Sequence, residues 1–502
     1  MRKLLGQLFS AAILLCAGTP ALSAAERPNI VLLMGDDHGW EETGYNKHPY
    51  VKTPVLDEIA ATGFRFECFY AGHPSCSPTR GSFMTGRHPN RYGTFAPGWS
   101  MRPEETTIAQ ILARAGYHCG HFGKWHLGAV KAGSPVNPGA MGFHEWLSHD
   151  NFFEIDPWLS RNGAPPEQIK GEGSEVVVRE AMHFIDAAHA KGQPFFTVVW
   201  FGSPHEPYVG LPADLALYDE LPALTQKKVR LTSVETGGQV TRPQGEVLRE
   251  RYAEITAMDR AIGILRKHLA AQGLRDNTLL FYCGDNGTSP DAVFRSPHRG
   301  EKGQVYEGGI LVPGLIEWPA RIPQPRSTRV RASTSDLLPT LCAVAGAPLP
   351  DRVLDGMDLT PAIDGKMTER PTPLWFWEYD FARLVKTKPE PYIDPKLQEG
   401  TTPLTKLAAG KATRDFSNYR QPPIGEDDYR GPRAIIVGRH KLVLQENKQG
   451  EVRSELFDLD ADPAETKDLH EKEPKLTEEL AAQMRSWQKS VLGSLTGADY
   501  RR

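Results

Sequence analysis

Four short apolar runs punctuate the chain. Each breaks at a glycine and is followed by charge, imidazole or amide: "NIVLLMGDDHG" from Asn29, "YHCGHFGKWH" from Tyr117, "FFTVVWFGSPHEP" from Phe195 and "TLLFYCGDNG" from Thr278. Their length and their β-branched or aromatic content predict strands. Helical patterns lie between them. "TTIAQILARAG" precedes the second run and "SEVVVREAMHFIDAAHAKG" the third. "LRERYAEITAMDRAIGILRKHLAAQG" precedes the fourth, with Leu248, Tyr252, Ile255, Ile262, Leu265 and Leu269 on one face. This alternation predicts an α/β fold: a large, mainly parallel sheet flanked by helices on both faces. Such sheets bind ligands beyond the carboxyl ends of their strands. Asp36, Asp37, Lys124, His126, His205, Asp285 and Asn286 are therefore expected to converge. Asp, Asn and Gly also favour plain turns, but four strands that all end this way exceed what turns require.

The first 25 residues read as a secretory signal peptide: Arg2 and Lys3, then an apolar stretch from Leu4 to Ala17, then small residues. That stretch is short for a membrane span, and no later run is long enough for stable membrane insertion. Cys16 resembles a lipoprotein acceptor, but bulky Leu15 precedes it, so the expectation is export to the periplasm or outside the cell. Residues 26–370 form the expected catalytic domain. From 371 to 502 the texture changes. A long polar, Pro-rich excursion leads to "RAIIVGRHKLVLQ" and "SELFDLDADPAETKDL", read as a small antiparallel sheet, and to a terminal helix from Pro474 to Leu492 that ends at Gly493. This predicts a smaller C-terminal α+β domain. A net charge of -4 leaves no footprint for nucleic acid. The cysteines beyond the signal (Cys68, Cys76, Cys119, Cys283 and Cys342) are odd in number and lack CxxC spacing. Cys283 and Cys342 read as buried thiols. Cys76 alone has a polar setting.

Asp36, Asp37, Asp285 and Asn286 are hard oxygen donors, suited to Ca²⁺ or Mg²⁺ rather than Zn²⁺. Carboxylates crowded around one site would repel one another without a cation. Arg80, Lys124, His126, His205 and Lys302 add positive charge and donors at the rim, which suits an anionic tetrahedral ester, phosphate or sulfate. Pro78 fits the first turn of a helix and Ser77 can cap it, placing Cys76 at the positive end. A thiolate there remains open, although soft sulfur matches a hard cation poorly.

"CSPTRGSFMTGR" from Cys76 resembles the first sulfatase signature and "GYHCGHFGKWHLG" from Gly116 the second, with "DLLPTL", "LDGMDLTP" and "ELFDLDADPAE" extending the likeness. The chain is thus similar to type I, formylglycine-dependent sulfatases of the alkaline-phosphatase-like superfamily. The resemblance implies that Cys76 is converted by formylglycine-generating machinery to Cα-formylglycine (3-oxoalanine), whose hydrate is an oxygen nucleophile. It implies Ca²⁺ held by Asp36, Asp37, Asp285 and Asn286 beside modified Cys76. Arg80 would fix that residue and the carboxylates. Lys124, His205 and Lys302 would bind sulfate, with His205 also protonating the leaving alcohol, and His126 would act on the second hydroxyl.

Two rivals stand beside this reading: a phosphomonoester, phosphodiester or phosphonate monoester hydrolase of the same superfamily, and a non-catalytic glycan-binding relative. Asp285-Asn286, in place of an Asp-His pair, favours Ca²⁺ and sulfate. No part of the site is missing, which disfavours the binding module. "WLSHDNFFEIDPWLSRNG" and "WFWEYDFARLVK" offer aromatic and charged residues for the predicted mouth, suiting a sulfated carbohydrate; the alternative is that they pack the two domains together. His38 is a further candidate for the pocket lining.

Overall fold

The computed structural model describes residues 27–233, 238–404, 414–420, 428–446 and 450–500. The signal-peptide and Cys16 readings lie outside the described residues. The four apolar runs form adjacent strands: β1 (Asn29–Gly35), β2 (His118–Lys124), β3 (Phe195–Trp200) and β4 (Thr278–Gly284). They stand in the order β4-β1-β3-β2 at the centre of a ten-stranded sheet. All are parallel, and Glu145–His149 continues that direction beside β2. Antiparallel pairing begins beyond these five, with Gly314–Glu317 on β4 and Trp158–Arg161 on Glu145–His149. The sheet is therefore parallel at its core and mixed at its edges.

Register explains why the strand ends meet. Gly35 pairs with Gly284, Met34 with Trp200 and Trp200 with Gly123. The four breaks thus lie at one level, and the residues after them emerge side by side. Gly123 (φ 102°) cannot carry a side chain, because a Cβ would lie 2.0 Å from the Trp200 carbonyl oxygen. The strands are buried on both faces, as parallel central strands must be. Ile30, Leu32 and Met34 point into one core and Val31 and Leu33 into the other, the period of two that a strand imposes.

Helix α1 (Cys76–Thr85) lies under the sheet's carboxyl edge, wholly buried, and ends at Gly86 in the left-handed region that a C-terminal cap favours. It begins two residues earlier than Ser77 capping requires: Ser75 is the N-cap and makes no side-chain cap bond, while Ser77 Oγ accepts from the Gly98 amide at 3.2 Å. Helices α2 (Gly173–Ala190) and α3 (Gln244–Ala271) cover the sheet's other face.

Toward the C-terminus, β5 (Leu374–Trp377), β6 (Arg433–Val437), β7 (His440–Glu446) and β8 (Val452–Asp458) form an antiparallel sheet. Alternation divides its faces. Trp377, Ile435, Leu442 and Leu456 pack on helix α4 (Pro474–Leu495), while Phe376, Ala434, Val443 and Phe457 pack on Tyr70, Tyr306 and Ile310. Helix α4 runs through Gly493 instead of stopping there. The aromatic residues of "WFWEYDFARLVK" serve packing: Trp377 and Tyr379 join this core, and Phe381 meets Phe95 and Trp99.

Candidate active site

The residues after β1, β2, β3 and β4 meet the N-terminus of α1. Asp36 and Asp37 leave β1, with Asp37 in the left-handed region (φ 61°). That turn aims the Asp37 amide at Asp285 Oδ1, to which it donates at 2.8 Å. Arg80, fully buried on α1, donates from Nε and Nη2 to Asp285 Oδ2 at 3.1 and 2.7 Å, and Nη2 lies 3.3 Å from Asp36 Oδ1. Lys124 Nζ is 2.6 Å from Asp36 Oδ2. Lys302 Nζ is 2.7 Å from Asp37, and Asn286 Nδ2 donates to Asp37 Oδ1 at 2.9 Å. The Cys76 thiol donates to the same oxygen at 3.6 Å.

Three acids therefore face three bases, and the expected carboxylate repulsion is met by side chains alone. Repulsion does not by itself require a metal. Donor chemistry does point to one. Asp36 Oδ1 and Asn286 Oδ1 are buried and accept no hydrogen bond among the described residues, a state that buried polar atoms rarely occupy. Both are hard oxygens that fit Ca²⁺ or Mg²⁺. Candidate ligand atoms of Asp36, Asp37, Cys76 and His205 lie within 4.8 Å of one another. His205 stands in that group and Asp285 does not; the Asp285 oxygens accept from the Asp37 amide and from Arg80 and keep further lone pairs.

The electrostatics follow from burial. Burial and Asp36 push the Asp285 carboxyl up to about 6, against Arg80. Burial would raise Asp37 too, but Lys302, His205 and Lys124 hold it well below the usual carboxylate range. Burial pushes the Cys76 thiol up, outweighing Lys124 and Lys302. A thiol pushed up in this way is a poor nucleophile. Burial, aided by Lys124, Arg414, Arg80 and His205, holds His126 well below the ordinary histidine value, and neither ring nitrogen has a hydrogen-bond partner among the described residues. It is a free base inside the site. Burial takes His205 down to about 3. Its Nδ1–H donates to the Glu206 carbonyl at 2.5 Å, which leaves Nε2 as the lone pair, 3.8 Å from Asp37 Oδ2. Phe152 stacks on this ring at 4.5 Å, so the "WLSHDNFF" segment does reach the mouth.

A model of the Sulfatase family matches residues 28–347. The chain belongs to the sulfatase family. Human arylsulfatase A is 34% identical over 372 residues, covering 70% of this chain and 71% of its own. The dog N-acetylgalactosamine-6-sulfatase is 31% identical over 403 residues, covering 72% and 70%. Among solved structures, Ps i-CgsB in complex with k-i-k-neocarrahexaose superposes with a TM-score of 0.72 at 23% identity, over 92% of this chain and 93% of that one. This sulfatase is accordingly a sulfuric ester hydrolase of the type I, alkaline-phosphatase-like class.

Sequence reasoning missed one residue of the sulfatase site and misjudged another. Arg251 on α3 is fully buried. It donates to both Glu42 carboxylate oxygens (2.8 and 2.6 Å), to the Asp37 carbonyl (2.6 Å) and to the Pro204 carbonyl, so it ties the β1 turn to the His205 loop. Its signal was present: an arginine beside Leu248, Tyr252 and Ile255 on the apolar stripe. His38 does not line the pocket. Its nitrogens are committed to Tyr282 Oη at 2.5 Å and the Glu42 carbonyl at 2.7 Å.

Lys302 is held from outside the parallel sheet. His298 donates to the Pro463 carbonyl at 3.0 Å, Arg299 pairs with Glu455 at 3.3 Å, and Tyr306 Oη donates to Glu455. The Glu307 amide donates to Glu465 at 2.7 Å, and buried Lys441 of β7 pairs with Glu307 and Glu465 at 2.9 and 2.8 Å. The C-terminal sheet thus fastens both flanks of the segment that carries Lys302. Among the described residues, no helix is long and apolar enough to cross a membrane.

Proposed function

We propose that this sulfatase hydrolyses sulfate esters of carbohydrates using Cys76 as formylglycine, with Ca²⁺ (or Mg²⁺) held by Asp36, Asp37, Asp285 and Asn286. The observation that carries it is buried Cys76 at the head of α1, its thiol 3.6 Å from Asp37 Oδ1, beside Asp36 and Asn286 oxygens that accept no hydrogen bond among the described residues. The cation would supply positive charge that polarises the sulfuryl group. Oxidised and hydrated, residue 76 offers an oxygen nucleophile, and Arg80 and Asp37 fix its position. Lys124 and Lys302 face the sulfuryl oxygens and stabilise their charge. The ester's negative charge favours a proton on His205 Nε2, from which the departing alcohol takes it. His126, free and neutral, removes the proton from the remaining hydroxyl, so that sulfate leaves and the aldehyde returns.

The carbohydrate reading is supported by relatives named for N-acetylgalactosamine 6-sulfate and by Phe152 stacked on His205 at the mouth. The N-terminal pattern supports export, with conversion of Cys76 before folding. The division at about residue 370 fits the change from parallel to antiparallel sheet. The test is turnover of an aryl sulfate beside an aryl phosphate, with peptide mass analysis of residue 76. Preferred hydrolysis of the phosphate, or full sulfatase activity with residue 76 wholly unmodified, would overturn the proposal.

A further inference from the structure

The described parts of the polar excursion after β5, residues 398–404 and 414–420, fold back toward the active site. The Thr401 and Thr402 amides donate to Asp150 Oδ2 at 2.6 and 2.8 Å, and the Asp150 carbonyl accepts from the His126 amide at 3.1 Å. The Gly400 amide donates to Asp415 at 3.2 Å and the Phe416 amide to the Gln398 carbonyl at 2.9 Å. Phe416 meets the His126 ring edge to face at 6.1 Å. The Ser417 amide donates to the Gly98 carbonyl at 3.0 Å, and Gly98 in turn donates to Ser77, the neighbour of Cys76. Arg414 lies on this strap. Its stem crosses Gly98, where a Cβ would come within 3.0 Å of Arg414 Cδ. Its guanidinium is near enough to His126 to act on that ring's charge. Yet Arg414 is exposed, and its one hydrogen bond among the described residues is to the Pro97 carbonyl at 3.5 Å. Among the described residues no carboxylate pairs with it, although Asp415 is adjacent and bonds elsewhere.

We propose that Arg414 is a specificity-determining residue that binds a second anionic group on the substrate, so that this sulfatase prefers sugars bearing another sulfate or a carboxylate beside the scissile ester. The inference rests on the sulfate-ester reading above. A planar guanidinium with most of its donors unpaired among the described residues is suited to bidentate recognition of either oxyanion. Half-buried Phe152, stacked on His205, offers an apolar face for the ring that carries both groups, while buried Phe416 seats the strap against His126.

The experiment measures inhibition constants against aryl sulfate turnover by the metal-loaded, modified enzyme. The probes are monosulfated and disulfated galactosamine and glucosamine sugars, and a monosulfated disaccharide with a neighbouring uronate. The wild type is expected to bind the doubly anionic probes more tightly than their monosulfated counterparts. Arg414→Ala should reduce that ratio on the order of tenfold, the scale of a charged hydrogen bond, and Arg414→Lys should keep part of it. Whether the disulfated or the uronate arm responds identifies the anion. A wild type with no preference for the second anionic group, or a preference that survives Arg414→Ala, would overturn the proposal. Absence of aryl sulfate turnover in the wild type would remove the reading beneath it instead.

Discussion

Lys441 sits on the C-terminal sheet, yet its substitution is expected to reach the sulfate site. Its ammonium is fully buried between Glu307 and Glu465, themselves nearly inaccessible. Lys441→Met keeps the bulk and removes the charge. Two carboxylates then share a dry space, with the Tyr70 hydroxyl on Glu307 at 3.0 Å and the Glu307 amide on Glu465 as remaining donors. Breaking a buried pair from one side costs about 3–5 kcal/mol. For a cooperative unit of 150–250 residues this is roughly 6–20 °C in unfolding midpoint. The loss should depend on pH. Burial already raises Glu465, and Lys441 is what restrains it. In the variant, a carboxyl with folded pKa above its unfolded value near 4.3 costs little at low pH and progressively more as pH rises. Adding Glu465→Gln should recover most of the loss, since the amide can accept from Glu307 N–H and donate to its carboxylate. Glu307 lies five residues beyond Lys302 and caps the segment's far end. KM for an aryl sulfate should therefore rise in Lys441→Met and return in the double variant. Denaturant midpoints at pH 5.5 and 8, beside kcat and KM, test this. A midpoint shift below about 1 kcal/mol, or equal loss in single and double variants, would refute the reasoning.

Cys76→Ser should accept sulfate once and stall, because serine has no second hydroxyl for His126 to deprotonate; repeated turnover with no trapped adduct in the mass spectrum would contradict the hydrate step. Asp285→Ala should lower calcium content and rate together while leaving Arg80 without its bidentate partner; a variant with full metal content and full rate would make Asp285 a simple turn residue. Burial raises the Glu378 carboxyl to about 7. Glu378→Gln should match the wild type below about pH 4.3, where both states are protonated, and become more stable above pH 7 by on the order of 1–3 kcal/mol. Denaturation at the two extremes decides it, and a variant less stable at pH 8 would show an unrecognised partner for the carboxylate.

What the sequence disclosed and what it withheld divide along physical lines. Asp36, Lys124, His205 and Asp285 follow strands whose period and length are local properties, so their convergence was legible once a parallel sheet was inferred. Their common level comes from register, which glycine breaks at Gly35, Gly123 and Gly284 mark in the chain. Helix α1 was legible from Pro78, although its start at Cys76 depends on Ser75 turning extended, which no residue preference dictates. The roles of Arg251, Lys441 and Arg414 were not legible. Each depends on partners far along the chain (Glu42, Glu307, Gly98), and charged residues in polar or amphipathic stretches look solvated until the fold brings those partners in. The clearest misreading, "WFWEYDFARLVK" as mouth, has the same origin: two tryptophans beside acidic residues suit a sugar or an interface equally, and β-strand alternation decided for the interface. The mouth went instead to Phe152 and to exposed Arg414 on a strap anchored by buried Phe416 and Thr402, built from small, polar and proline-rich sequence with no period to read. On the reading proposed here, strand ends place the atoms that break the ester, and loops anchored by scattered hydrogen bonds shape what approaches them. The candidate chemistry was therefore readable where local rules act, and the proposed selectivity lies where only the closed tertiary structure shows which charges are unpaired among the described residues.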